Sequence, residues 1–392
     1  MDYEKILSKR VQKIKPSGIR KFFDIAANMK DVISLSIGEP DFKTPWSVRA
    51  AGIETLERGR TTYTANSGLV PLRQEISRYM ARKFDLSYDP MTETVVTVGG
   101  SEAIDLCVRA LIEEGDEVLV VEPCFVAYAP IIEMMHGVAV PVETVAEENF
   151  RLTAARLKEK ITDRTKLLVL PFPNNPTGAV MRREHLEEIA EVLRGTDIIV
   201  LSDEIYAELT YSGKHVSIAS IDGMKERTIV VNGFSKAFSM TGWRLGFACG
   251  PEPIIKQMTK IHQYAIMCAP TTSQYAAVEA LRRCDENIKS MVEEYDMRRR
   301  YIVDAFNKLG LSCFEPEGAF YIFPCITSTG LTSEEFCEKL LYSKHVAVVP
   351  GGAFGACGEG YIRVSYAYSI KHITEAVTRI GAFLEERKAG LI

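Results

Sequence analysis

No apolar stretch in this 392-residue chain approaches the roughly 20 residues that a membrane-spanning helix needs. The first ten residues, MDYEKILSKR, lack the apolar core of a signal peptide. Excess charge of one sign is small. The formal net charge is -5 at pH 7, with no basic bias toward nucleic acid or an anionic membrane surface. CxxC pairs are absent, and the nine cysteines (Cys107, Cys124, Cys249, Cys268, Cys284, Cys313, Cys325, Cys337 and Cys357) are scattered. An odd, unclustered set reads as reduced thiols in a cytosol and not as a disulfide framework. The six histidines are equally dispersed. No His/Cys cluster has metal-ligand spacing, so a zinc or iron site is not expected. Internal repeats and low-complexity tracts are missing too. So is GxGxxG, which counts against a dinucleotide fold and with it a nicotinamide dehydrogenase.

What remains is a globular composition, 46% hydrophobic and 25% charged. The chain is too long for one hydrophobic core, so two domains are the default. Short β-branched runs (TETVVTVGG, DEVLVVEP, KLLVLPFP, DIIVLSDE, RTIVVNGF) alternate with amphipathic segments such as residues 101–114 and 183–194. Near-continuous apolar strands alternating with helices predict an α/β domain, its mostly parallel sheet flanked by helices on both faces. That large domain is expected over residues 46–285. A long charged helix at 287–309 follows, then strand-like GAFYIFP, VAVVPG and YIRVSY, and a last helix at 370–388. These predict a smaller α+β domain over 286–392. The polar arm, residues 1–45, is expected to join it, having no core of its own.

In open parallel sheets, ligands bind beyond the carboxyl ends of the strands. Five consecutive strand ends here carry GGSEA, EPCF, PNNPTG, SDEIY and GFSKAF. Loop preference explains any one of these and explains the set poorly; together they point to one site. Lys236, just after an apolar strand, sits where desolvation lowers its pKa and favours the free amine that a Schiff base requires. Ser235 and Arg244 offer a hydroxyl and a guanidinium, a good pair for a phosphate dianion.

The segment SKAFSMTGWRLGF (residues 235–247) closely resembles the cofactor-lysine motif of the class I and II aminotransferases, which are fold-type-I pyridoxal-phosphate enzymes. The similarity extends over nearly the full chain. SIGEPDF (36–42), YTANSGLVPLR (63–73), VGGSEA (98–103), PNNPTG (173–178), SDEIY (202–206), GAFY (318–321) and IRVSYA (362–367) occur in the family's order and spacing. The resemblance implies the fold-type-I aminotransferase architecture, pyridoxal 5'-phosphate as cofactor, and a homodimer with shared active sites.

It also implies roles for particular residues. Lys236 would anchor the cofactor and act as general acid and base. Asp203 would pair with the pyridine nitrogen and keep the ring an electron sink; a helix N-cap is the plain alternative, and Glu204 is a rival carboxylate. Tyr206 is similar to the tyrosine that bonds the ring's phenolic oxygen, and Asn175 reaches that oxygen and a substrate carboxylate. The Asn175–Pro176 bond is expected to be cis, as the family often shows. Gly100, Ser101 and Glu102, opening a helix, would bind phosphate through backbone N–H groups. Phe125 matches the aromatic that stacks on the ring, although many relatives carry Trp or Tyr there. Tyr63 resembles the tyrosine that reaches the neighbouring subunit's phosphate. Arg363 is similar to the arginine that clamps the substrate α-carboxylate, with Gly38 beside it leaving room for substrate.

The implied reaction moves the amino group of an L-amino acid to a 2-oxo acid, 2-oxoglutarate being expected, in two half-reactions through a Schiff base on Lys236. A carbon–sulfur β-lyase using the same cofactor residues is the alternative. A ligand-sensing transcriptional regulator would need a DNA-binding module ahead of SIGEPDF, which begins at residue 36. Overall similarity points to aromatic, aspartate-type and N-acetyl-diaminopimelate transaminases. Arg20 and Arg109 are candidates to meet a distal carboxylate, with plain surface charge as the alternative for each.

Overall fold

The computed structural model of the chain describes residues 1–16, 18, 25 and 29–391. Twelve strands are present among them: β1 (Ile33–Ser34), β2 (Thr94–Thr97), β3 (Glu117–Glu122), β4 (Val138–Glu143), β5 (Thr165–Leu170), β6 (Ile199–Asp203), β7 (Thr228–Gly233), β8 (Gly246–Cys249), β9 (Tyr321–Ile322), β10 (Val346–Ala347), β11 (Val349–Pro350) and β12 (Ile362–Ser365). Seven of them form one sheet in the order β2-β8-β7-β6-β5-β3-β4. β8 runs antiparallel to both its neighbours, and the remaining pairs are parallel. Six strands therefore point one way and β8 alone is reversed.

Alternation along each strand explains why this sheet is covered on both faces. Val118 and Val120 of β3, Leu167 and Val169 of β5, and Ile229 and Val231 of β7 join one core. That core includes residues of helices Gly100–Leu111 and Glu252–Ala265. The intervening Leu119 and Val121, with Leu168 and Leu170, face a second core under helix Arg183–Leu193. Val230 of β7 and Phe247 of β8 face a third core, with helices Val70–Phe84 and Thr271–Arg283. Each such side chain contributes roughly 1.5–3 kcal/mol through its removal from water.

Helix Asp285–Lys308 leads into a second body of structure. There β11, β12 and β9 form an antiparallel sheet, packed with helices Ser333–Lys344 and Ile370–Lys388 around Phe306, Phe336 and Phe383. β1 pairs in parallel with β10. The first two short helices, Tyr3–Ile6 and Lys9–Lys13, bury none of their residues. Arg10 reaches instead to the Met134 carbonyl and His136 Nδ1.

The five apolar runs read from the sequence are all strands of the large sheet. β4 and β8 carry weaker patterns. β4 is an edge strand with Pro141 in it and every position but Val142 exposed or half-exposed; β8 is only Gly-Phe-Ala-Cys. No helix among the described residues is long and apolar enough to cross a membrane.

Candidate active site

The parallel strands end at one edge of the sheet, and the reversed β8 begins there. That edge therefore collects the turns after β2, β3, β5, β6 and β7 together with Arg244, just ahead of β8. A cavity of about 500 Å³ lies there, lined from these turns by Gly100, Ser101, Phe125, Asn175, Asp203 and Lys236. Gly38, Tyr321 and Arg363 close it from the other body of structure.

Lys236 Nζ donates to the Gly38 carbonyl at 2.5 Å. Burial pushes its ammonium pKa down to about 8, while the Glu39 carboxylate pulls the other way. A free amine is thus accessible near neutral pH. Asp203 ends β6 in a buried position, and burial raises its carboxyl above the usual range. The Tyr128 hydroxyl donates to its Oδ2 at 2.6 Å, and the Ile205 N–H donates to its Oδ1 at 3.2 Å. Glu204 points elsewhere: it accepts from Ser202 and Ser217, and its Oε2 lies 2.9 Å from His215 Nε2. The rival carboxylate is therefore engaged outside the cavity.

Arg363 is buried, unlike a surface arginine of an edge strand. It donates to Asn175 Oδ1 at 2.9 Å and to the Ser36 carbonyl at 2.5 Å, and lies over the Tyr321 ring at 4.4 Å. Its Nε is buried with no hydrogen-bond partner among the described residues. A buried cationic donor left open calls for an anion. The Tyr206 and Tyr321 hydroxyls are 2.8 Å apart. A Cβ on Gly38 would stand 2.2 Å from the Tyr321 hydroxyl, so the glycine makes room for that tyrosine as well as for anything bound beside it.

At the other end of the cavity, Gly99 (φ 80°) leads into helix Gly100–Leu111. A Cβ on Gly99 would lie 2.6 Å from Arg244 Nη2. The guanidinium thus packs directly on the glycine turn, beside the open N–H groups of the helix start. Glu102 is in that first turn, but its carboxylate is turned away to the Val98 N–H and His262; only its backbone is available to an anion.

The structure thus gathers Lys236, Asp203, Tyr206, Asn175, Arg363, Gly38, Gly100, Ser101, Phe125, Ser235 and Arg244 around one cavity. Tyr63 is outside it, 80% exposed. Arg109 is paired with Asp105 at 2.7 Å along its own helix and does not line the cavity. Arg20 lies outside the described residues. Among the described residues the cis peptide bonds are Glu122–Pro123 and Phe172–Pro173, and the expected cis bond at Asn175–Pro176 is not one of them. That turn is closed by Asn174, whose side chain accepts from the Thr177 N–H and whose carbonyl accepts from the Gly178 N–H, with Pro176 trans. Tyr128 and Tyr321 were not singled out from the sequence. Tyr321 stands in the GAFY motif, and Tyr128 three residues after Phe125, so proximity to marked residues was the one signal available.

The family model "Aminotransferase class I and II" matches residues 30–380. A putative aminotransferase of Bacillus subtilis (strain 168) is 54% identical over 97% of this chain and 98% of that one. An aspartate aminotransferase of Pyrococcus abyssi is 48% identical over 97% of this chain and 99% of its own. The crystal structure of an aromatic aminotransferase from Pyrococcus horikoshii superimposes with a TM-score of 0.90 at 45% identity, covering 95% of this chain and 100% of that one.

Proposed function

The chain belongs to the class I and II aminotransferases, and from that premise we propose that it uses pyridoxal phosphate to move an amino group from an L-amino acid to 2-oxoglutarate. The donor class we propose is aromatic, aspartate-like or N-acetyl-diaminopimelate-like, in keeping with the names its relatives carry. The carrying observation is the pairing, across one cavity, of a half-buried lysine whose pKa falls to about 8 with a buried acid and an open buried arginine.

The residues fit the cofactor. The helix start at Gly100 and Ser101, with Ser235 and Arg244, suits a phosphate dianion. Phe125 offers a flat face for the ring, Asp203 an acid for its nitrogen, and Tyr206 a hydroxyl for its phenolic oxygen. When bound, pyridoxal phosphate supplies an electron sink that stabilises negative charge at the substrate Cα.

The chain's own side chains do the rest. Arg363 and Asn175 take the α-carboxylate and so fix the Cα–H bond in one orientation. Lys236, the one amine among the described lining residues, holds the cofactor and then carries the Cα proton. Tyr128 steadies Asp203 through its short hydrogen bond. A second chain would supply Tyr63 to the phosphate, making the enzyme a homodimer, which we place in the cytosol.

The test is a panel of amino donors with 2-oxoglutarate, following glutamate. Glutamate formation from one of the three donor classes is the expected result. Pyruvate appearing from a cysteine conjugate with no acceptor present, and no glutamate from any donor, would replace this reading with a β-lyase.

A further inference from the structure

His262 lies outside the cavity lining and has no part in the reaction described above. It sits fully buried in helix Glu252–Ala265, packed against the sheet. Its Nδ1 is 2.7 Å from Glu102 Oε1. The second carboxylate oxygen of Glu102 accepts the Val98 N–H. One carboxylate therefore ties together the residue after β2, the first turn of helix Gly100–Leu111 and a second helix. His262 Nε2 is buried and has no hydrogen-bond partner among the described residues. A proton there would be an unsatisfied buried donor, so the ring carries its proton on Nδ1 and donates it to Glu102.

This arrangement resolves a conflict within the turn. A carboxylate in the first turn of a helix is attracted to the same backbone N–H groups that an incoming phosphate needs. Left free, Glu102 would compete for them. Held between Val98 and His262, it braces the turn from behind instead. The turn has little slack: a Cβ on Gly246 would stand 2.6 Å from the Gly99 carbonyl carbon and 2.7 Å from Gly100 N. We propose that His262 is a positioning residue for the phosphate cup: through Glu102 it fixes residues 98–102 so that the N–H groups of Gly100 and Ser101 stay open to the cofactor's phosphate. The inference rests on the pyridoxal-phosphate reading.

The experiment compares two ligands that differ only in the phosphate. The full-length protein, freed of cofactor, is titrated with pyridoxal phosphate and with pyridoxal, following visible absorbance. His262→Leu should weaken pyridoxal phosphate about tenfold, the effect of stranding a buried hydrogen-bonded charge, and leave pyridoxal unchanged. His262→Asn retains an N–H toward Glu102 and should stay within about threefold of the parent protein. Glu102→Ala should match His262→Leu, and the double variant should be no worse than either, as for one coupled unit. Equal losses for both ligands, or none for pyridoxal phosphate, would overturn the proposal. If His262→Leu fails to fold, Glu102→Ala decides, because tighter phosphate binding there would mean that the carboxylate only repels. A folded parent protein that binds neither ligand refutes the cofactor reading itself, a separate result.

Discussion

Lys236 shows how one side chain's surroundings set its chemistry. Burial lowers its pKa from the usual lysine range to about 8. The ammonium has no lone pair for bond formation, so only the free amine takes up the cofactor. Lysine loses its charge as pH rises. The rate at which the cofactor-free protein captures pyridoxal phosphate should therefore climb with pH and reach half its plateau near 8. Stopped-flow absorbance across the pH range measures it; a flat profile would mean that Lys236 is not the capturing group. Borohydride reduction followed by peptide mapping should find the label on Lys236 alone. Asp203 gives a second prediction at this scale. Asp203→Asn should leave the protein folded and lower kcat, because the ring nitrogen loses its acid. Tyr128→Phe removes one hydrogen bond to a charged group, worth roughly 1.5–3 kcal/mol, and should lower kcat in the same direction but by less. Near-normal turnover in Asp203→Asn, with circular dichroism unchanged, would remove Asp203 from the proposed role. Glu204 is poorly placed to substitute, being held by Ser202 and Ser217.

Elements bring these residues together, and the tightest junction is where β8 crosses the turn after β2. Gly246→Ala would drive a methyl into the backbone of Gly99 and Gly100. Neither can yield without moving the helix start, so a stability loss of about 1–3 kcal/mol is expected, with weaker binding of pyridoxal phosphate. Thermal unfolding and cofactor titration measure the two effects; an unaltered affinity would show that this turn does not hold the phosphate. How legible this was in the sequence varied with the kind of contact. The runs that became β2, β3, β5, β6 and β7 were clear because each is apolar and buried on both faces. β4 was not, since an edge strand needs little burial, and β8 was not, since four residues beginning with glycine carry no pattern. Site residues within motifs could be picked out, whereas Tyr128 and His262 could not. Their partners, Asp203 and Glu102, lie 75 and 160 residues away in the chain, and only the folded sheet makes them neighbours. The cis proline was expected one turn too late for a related reason: local sequence marks a proline turn but does not say which bond the surrounding structure selects.

At the scale of the whole molecule, the Tyr63 side chain has no hydrogen-bond partner among the described residues of its own chain. It is 80% exposed, and Tyr264, Ile266 and Met267, at and just past the end of helix Glu252–Ala265, also stand open to solvent. The loop that carries Tyr63 is joined to this segment: Asn66 donates to the Met267 carbonyl, and Thr271 donates to the Thr62 carbonyl. Exposed aromatic and aliphatic side chains grouped in this way mark a surface that a partner covers. We propose that the partner is a second copy, and that Tyr63 reaches its phosphate. Two variants test this in combination. Lys236→Ala lacks the amine but keeps Tyr63, and Tyr63→Phe lacks the hydroxyl but keeps Lys236. In a mixed dimer, one site combines Lys236 of the second variant with Tyr63 of the first and is intact, while the other site lacks both. Tyr63→Phe removes a hydrogen bond to a charged group, worth roughly 1.5–3 kcal/mol, so it should weaken cofactor binding more than it slows turnover by the loaded enzyme. The mixture is accordingly assayed at limiting pyridoxal phosphate, after subunit exchange has been verified. Activity above the sum of the separate variants is the expected result. A mixture that equals that sum, or an active monomer by light scattering, would confine each site to one chain and leave the exposed Tyr63 without this role.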